Sequence, residues 1–355
     1  MTRKPDPYDA AEGIPGPYDG DPVEEDDLWF LPAQEPGEAE TEPLFPTPRA
    51  APRPLFDPVE WRAAQDVLSG DLADLALGFG ALDERLRAGP RQWVHRLALL
   101  EVADLGWWAG DRIGAERLAL WTGLRLGATG EDAQALARAG WAVRRLSGGP
   151  APDAGGWAEG LAGFLDRAGA EGDTVPEAVA DLGDVMAQAA ALHPATRAAM
   201  LFHCWIMLGQ GPSVGLEAAV MAARHGAAMG RGGALFLPLA LSGPGALRGA
   251  GPAEQKLTVW LRGAAQAVTA ALLHLDRVAA WSVRAIEKTG DLSGRTPPAL
   301  IEVLTAWPMV TAPLAEAQTG ASRAAVQRNL DLFARRGLVR EVTGQGRYRV
   351  WTAAV

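Results

Sequence analysis

The chain has 355 residues, 48% of them apolar, a formal net charge of −10 and a single cysteine, Cys204. The apolar content suffices for a sizeable core and the length suggests about two domains at ~150 residues each, while one cysteine excludes an internal disulfide frame or a thiolate zinc cluster. The N-terminus has no apolar stretch of the signal-peptide kind, and the longest uncharged run, Ala198 to Leu216, is broken by Gly209, Gln210, Gly211 and Pro212, so no membrane span of ~20 apolar residues is expected.

The charge is unevenly placed. Residues 1–57 carry 14 Asp and Glu against 4 Arg and Lys, whereas residues 295–355 carry eight Arg against four carboxylates. An acidic arm and a basic end on one chain point to a polyanion at the basic end. Residues 1–54 are rich in Pro, Gly, Asp and Glu and have no helical period, so they read as a disordered arm. Short apolar islands at Leu28–Leu31, Leu44-Phe45 and Leu55-Phe56 are either incidental or docking motifs.

From Asp57 the pattern is helical. Asp57-Pro58 combines a capping carboxylate with a proline in the first turn. Leu72, Leu75, Phe79, Leu82 and Leu86 recur every three or four residues, as do Trp93, Leu97, Leu100, Asp104 and Trp108. Further helices are predicted over 115–126, 131–147, 156–169, 175–191, 195–208 and 214–229, with breaks at Gly127–Gly130, Gly148–Pro150 and Gly209–Pro212. Leu235–Leu239 reads as a short extended piece that Pro238 keeps off a central strand. Residues 252–289 form one long helix, with Leu257, Leu261, Ala264, Val268, Ala271, Leu275, Val278, Ser282 and Ile286 on one stripe. The pattern reads as a central core helix, with a dimer seam through Leu257, Leu261, Val268, Leu275 and Ile286 left open.

The C-terminal stretch is the most informative. Pro298–Trp307 is a short amphipathic helix stopped by Pro308. Thr311 caps a second helix with Pro313 near its start and Leu314 facing inward; Thr319-Gly320 makes a turn; Ser322 caps a third helix whose buried stripe is Val326, Leu330 and Phe333. Gly337 stops it, and Leu338–Val342, Thr343–Gly346 and Arg347–Trp351 read as strand, turn, strand. Two short helices across a tight turn followed by a hairpin form a winged helix-turn-helix. A helix enters the major groove and Arg or Gln near its N-terminus reach base edges, which assigns base readout to Arg323, Gln327 and Arg328, with the cap Ser322 also counted among the DNA-binding residues; Arg347 and Arg349 on the wing are placed at phosphates.

The string Thr319-Gly320-Ala321-Ser322-Arg323, with Leu330, Gly337-Leu338-Val339 and Thr343-Gly344-Gln345-Gly346-Arg347-Tyr348-Arg349, resembles bacterial winged helix-turn-helix domains. It is most similar to the C-terminal modules of Fic-family proteins and of bacterial helix-turn-helix proteins with large helical N-terminal regions. The resemblance implies DNA binding by residues 297–351. Over residues 58–294 only the helical character and His193-Pro194 are similar to Fic proteins. There the Fic motif implies a His base, an Asp metal ligand and a glycine turn, whereas Ala195-Thr196-Arg197-Ala198-Ala199 follows here, so that activity does not carry over.

Catalytic motifs are otherwise sparse. Gly211–Gly215 matches G-x-S-x-G without a preceding strand, and His203-Cys204 reads as a buried structural pair. The sequence therefore predicts a mainly α protein with a disordered acidic arm (1–54), an all-helical core (55–290) and a winged helix-turn-helix (291–355). It is expected to be a cytoplasmic, nucleoid-associated, homodimeric DNA-binding regulator without cofactor, metal or enzymatic activity. The alternatives are a Fic-like, toxin-system helical enzyme with an autoregulatory winged helix, and an assembly scaffold.

Overall fold

The computed structural model describes residues 56–124, 131–166, 177–209, 211–344 and 349–355. The islands at Leu28–Leu31 and Leu44-Phe45, the break at Gly127–Gly130 and Arg347 lie outside the described residues. The described residues from Phe56 onward form one compact unit.

The element order follows the hydrophobic periodicity closely. The helices are α1 (Pro58–Val67), α2 (Ser69–Ala88), α3 (Gln92–Ala109), α4 (Ala115–Leu124), α5 (Glu131–Ser147), α6 (Trp157–Phe164), α7 (Glu177–Gln188), α8 (Pro194–Leu208), α9 (Val214–Gly226) and α10 (Ala253–Lys288). Then come α11 (Thr296–Ala306), β1 (Val310–Thr311), α12 (Ala312–Thr319), α13 (Arg323–Arg335), β2 (Val339–Glu341) and β3 (Val350–Ala353). The protein is mainly α, with a three-stranded antiparallel sheet in the order β1-β3-β2 at the C-terminal end. Asp57 caps α1 by accepting from the Val59 N–H at 2.8 Å, as its sequence position implies. Phe56 is buried against the core.

The core is built on α10, 36 residues and hence ~54 Å long. It packs against α1, α2 and the 3-10 turn Gly245–Arg248, while α8 lies along α9 and α3 along α5. Gly263 permits the close crossing of that turn: a Cβ there would stand 2.1 Å from the Ala246 backbone nitrogen. Residues 230–252 are irregular, with one 3-10 turn and no strand at Leu235–Leu239; Leu237, Leu239 and Ala240 are nonetheless buried. Buried backbone needs partners, and two carboxylates from helices supply them. Asp83 accepts from the N–H groups of Arg231 (2.9 Å) and Ala234 (2.7 Å). Glu101 accepts from Leu239 (2.7 Å), Ala240 (2.9 Å) and Leu241 (3.1 Å).

The α10 stripe is not a dimer seam. Leu257, Leu261, Val268 and Leu275 are buried inside the same chain, and only Ile286 faces solvent. Near its C-terminus α10 changes neighbours: Trp281 and Ala285 belong to a second hydrophobic cluster with Leu300, Leu304, Val326, Leu330 and Phe333. One helix therefore serves both the core and the C-terminal module.

Candidate nucleic-acid interface

The C-terminal module is assembled by local rules. Thr311 caps α12, its hydroxyl accepting from the Leu314 N–H at 3.2 Å, with Pro313 in the first turn. Leu314 is half-buried and Ala315 is the fully buried residue of that short helix. Gly320 ends α12 in the left-handed region at φ +65°, a conformation that costs a residue with a Cβ. Ser322 then caps α13, accepting from the Ala325 N–H at 3.4 Å. Val326, Leu330 and Phe333 bury one face of α13. β2 and β3 pair with Val339 opposite Ala353 and Glu341 opposite Trp351. β1, which the sequence reading did not contain, pairs with the other edge of β3, Val310 opposite Trp351.

The residues assigned to the DNA contact lie off the buried stripe of α13: at about 100° per residue Arg328 is opposite it, Gln327 on its flank and Arg323 nearer its edge in the first turn. Ser322, Arg323 and Arg328 are exposed and Gln327 is half-buried. Arg323 is engaged side-on by Glu316 of α12, Nε to Oε1 at 2.9 Å and Nη2 to Oε2 at 3.0 Å. That pair keeps the guanidinium protonated beyond its usual range and holds the two helices in register. Gln327 Nε2 donates to Asp331 at 3.2 Å. Arg328 has no carboxylate partner among the described residues. Arg349, assigned by sequence to a phosphate, lies between Asp331 (2.9 Å) and Glu341 (3.5 Å), its guanidinium 4.9 Å from the Trp351 ring centre. It is half-buried and fastens the hairpin to α13, with its charge offset by two carboxylates.

The module is tied to the core at its back. Arg96 of α3 donates through Nη2 to the carbonyls of Leu304 (3.1 Å), Thr305 (3.3 Å) and Trp307 (2.7 Å), the C-terminal end of α11, where a cation is favoured. Trp93 Nε1 joins it on the Thr305 carbonyl at 3.0 Å, and Trp281 Nε1 donates to the Leu338 carbonyl at 2.7 Å. Arg336 pairs with Asp291 and the Lys288 carbonyl, and Arg340 with Glu116 of α4. Among the described residues these contacts leave Ser322, Arg323 and Arg328 exposed. Residues 297–353 match a family model described as an HTH DNA binding domain. No curated protein matches the chain. A DNA-binding function for the C-terminal module thus rests on its helix-turn-helix geometry and on this match.

Elsewhere the sequence motifs resolve into structural roles. His193 caps α8, its Nδ1 accepting from the Ala195 N–H at 3.2 Å, and Pro194 occupies the first turn. Ser213 of the G-x-S-x-G string follows helix α8 and donates to Glu217 at 3.1 Å, so no strand-to-helix elbow exists there. Cys204 is buried and its thiol is pushed far up by desolvation, while His203 beside it is pushed down to about 4 by burial and by Lys256. Of the pair Trp107-Trp108, Trp107 is exposed and Trp108 packs on Phe202. No group of three or more metal-ligating side chains occurs, and no helix is long and apolar enough to cross a membrane, among the described residues.

Proposed function

We propose that this protein is a sequence-specific DNA-binding regulator of transcription that acts by binding and not by catalysis. The observation that carries the reading is the helix-turn-helix of residues 297–353, with Arg323 and Arg328 of α13 exposed. Arg323, Gln327 and Arg328 are the base-reading residues, with Arg and Gln geometry suited to G and A edges in the major groove. Ser322 orders the first turn of α13 by capping it. Arg347 keeps its assignment to a phosphate, whereas Arg349 acts chiefly by positioning the hairpin against α13. A homodimer gives the paired half-sites that genomic specificity calls for. Its contact must use a surface other than the buried stripe of α10, and sedimentation of the full chain at micromolar concentration reports it.

Selection of bound fragments from a random duplex pool by the full chain, followed by footprinting, tests the reading. Enrichment of one motif with protection in the major groove supports it. Recovery of an unenriched pool at all salt concentrations contradicts it and favours the scaffold alternative.

A further inference from the structure

A cleft of about 420 Å³ lies where the core meets the C-terminal module. That size falls in the range of small-molecule sites, ~300–1,000 Å³, and far exceeds the ~30 Å³ share of one water. Its walls are apolar, with Leu99 and Leu100 from α3 and Pro308 and Met309 from the segment before β1. Its polar side chains are Arg96, His274 and Thr352, and the Arg340–Glu116 pair also lines it.

Arg96 is the unusual member. It is 4% exposed and has no carboxylate partner among the described residues. Its Nη2 is occupied by three carbonyls at the C-terminal end of α11, and its buried Nε has no hydrogen-bond partner among the described residues. Burial lowers its pKa to about 10, so it stays a cation at neutral pH. A buried charge without a counter-ion is costly, and capping a helix end offsets only part of that. His274 Nε2, also buried, is likewise without a partner among the described residues. Arg340 is paired with Glu116, so Arg96 is the cationic side chain of the cleft that has no side-chain carboxylate partner among the described residues.

We infer that this cleft binds a small organic carboxylate with an apolar body. The carboxylate would sit beside Arg96 and His274 where they line the cleft, and the hydrocarbon would lie on Leu99, Leu100 and Met309. A guanidinium matches the planar, two-oxygen geometry of a carboxylate. Because Pro308, Met309 and Thr352 belong to the DNA-binding module and Arg96 and His274 to the core, the bound acid would bridge the two. That such a ligand modulates DNA binding rests on the function proposed above; the binding itself does not.

Calorimetry on the full chain without DNA tests it, with hexanoate and phenylacetate as probes, hexanamide and phenylacetamide as neutral matches, and inorganic phosphate as the bare anion. At least one acid is expected to bind saturably at one per chain, and its amide and phosphate at least about tenfold more weakly. His274→Leu removes the polar ring and Met309→Trp fills the apolar wall. Each is expected to weaken the acid about tenfold, and thermal unfolding shows whether each variant is folded. No saturable binding of either acid overturns the inference. So does an amide or phosphate that binds as tightly as the acid, or acid affinity unchanged in a folded variant. A titration of duplex DNA with and without the acid is read separately: absence of DNA binding there counts against the regulator reading and leaves the cleft result standing.

Discussion

The helical core and the C-terminal module use charge in opposite ways. In the core, Asp83, Glu101 and Arg224 are buried, and their partners are backbone groups of the irregular stretch 230–241 or of Gly149. In the module no charged side chain is buried among the described residues; Arg323, Arg336, Arg340 and Arg349 sit at the surface or half-buried in ion pairs. Charge inside the core holds the chain in shape, because nothing else can satisfy buried N–H groups there. Charge on the module is cheaply rearranged, because exposed pairs contribute little, and so it can be redirected to phosphates and bases.

The comparison breaks first where the two regions share α10. Trp281→Ala removes a fully buried ring and the hydrogen bond to the Leu338 carbonyl, and should destabilise the protein by about 3–5 kcal/mol in urea unfolding. An isolated 297–353 fragment lacks the same ring and should be poorly folded, which is why the full chain is the material for DNA work.

Next comes Glu101→Gln, which replaces one of two acceptor oxygens by a donor facing an N–H and should cost about 1–3 kcal/mol. Burial raises the Glu101 pKa from 4.5 to about 7. The folded state therefore binds more protons than the unfolded one between those values, and stability falls as pH rises through that window. Histidines 203 and 274 oppose this. Burial lowers both from 6.5 to about 4, so their contribution is complete above about pH 6.5 and lost as pH falls toward 4. The difference between the parent and Glu101→Gln in unfolding free energy against pH isolates the carboxylate.

Smaller effects belong to the module. Glu316→Gln releases Arg323 and removes a negative charge beside the DNA-facing side, and should tighten duplex binding by a factor below about tenfold, measured by anisotropy at low salt. Glu116→Gln opens the exposed pair with Arg340 and should change stability by less than about 0.5 kcal/mol.

Much of this fold is legible in the sequence. Asp57-Pro58, the 252–289 stripe and the Thr311, Gly320 and Ser322 punctuation each produce the element their local chemistry implies. Helix α3 shows where legibility ends. Its periodicity points Leu100 and Asp104 inward, yet both are half-buried and Glu101 is fully buried, because α3 is covered on nearly all sides and a helix without a solvent face has no direction to read. Strand β1 is two residues long and exists only through its pairing with β3. At the candidate site, the capping of Ser322 and the exposure of Arg328 follow from helical spacing. The engagement of Arg323 by Glu316 and of Arg349 by Asp331 does not, since each joins residues of different elements brought together only by the turn and the hairpin.

The central claim is that the exposed side chains of α13 read duplex DNA, and Arg328 tests it most directly because no protein carboxylate competes for it among the described residues. The measurement is an anisotropy titration of the selected duplex and of an unrelated one with the full chain and with Arg328→Ala, at two salt concentrations. The account predicts that the substitution costs about 1–3 kcal/mol on the selected duplex, far less on the unrelated one, and that affinity for both falls with salt. Equal affinity of parent and variant for both duplexes, or no complex at low salt, would contradict it.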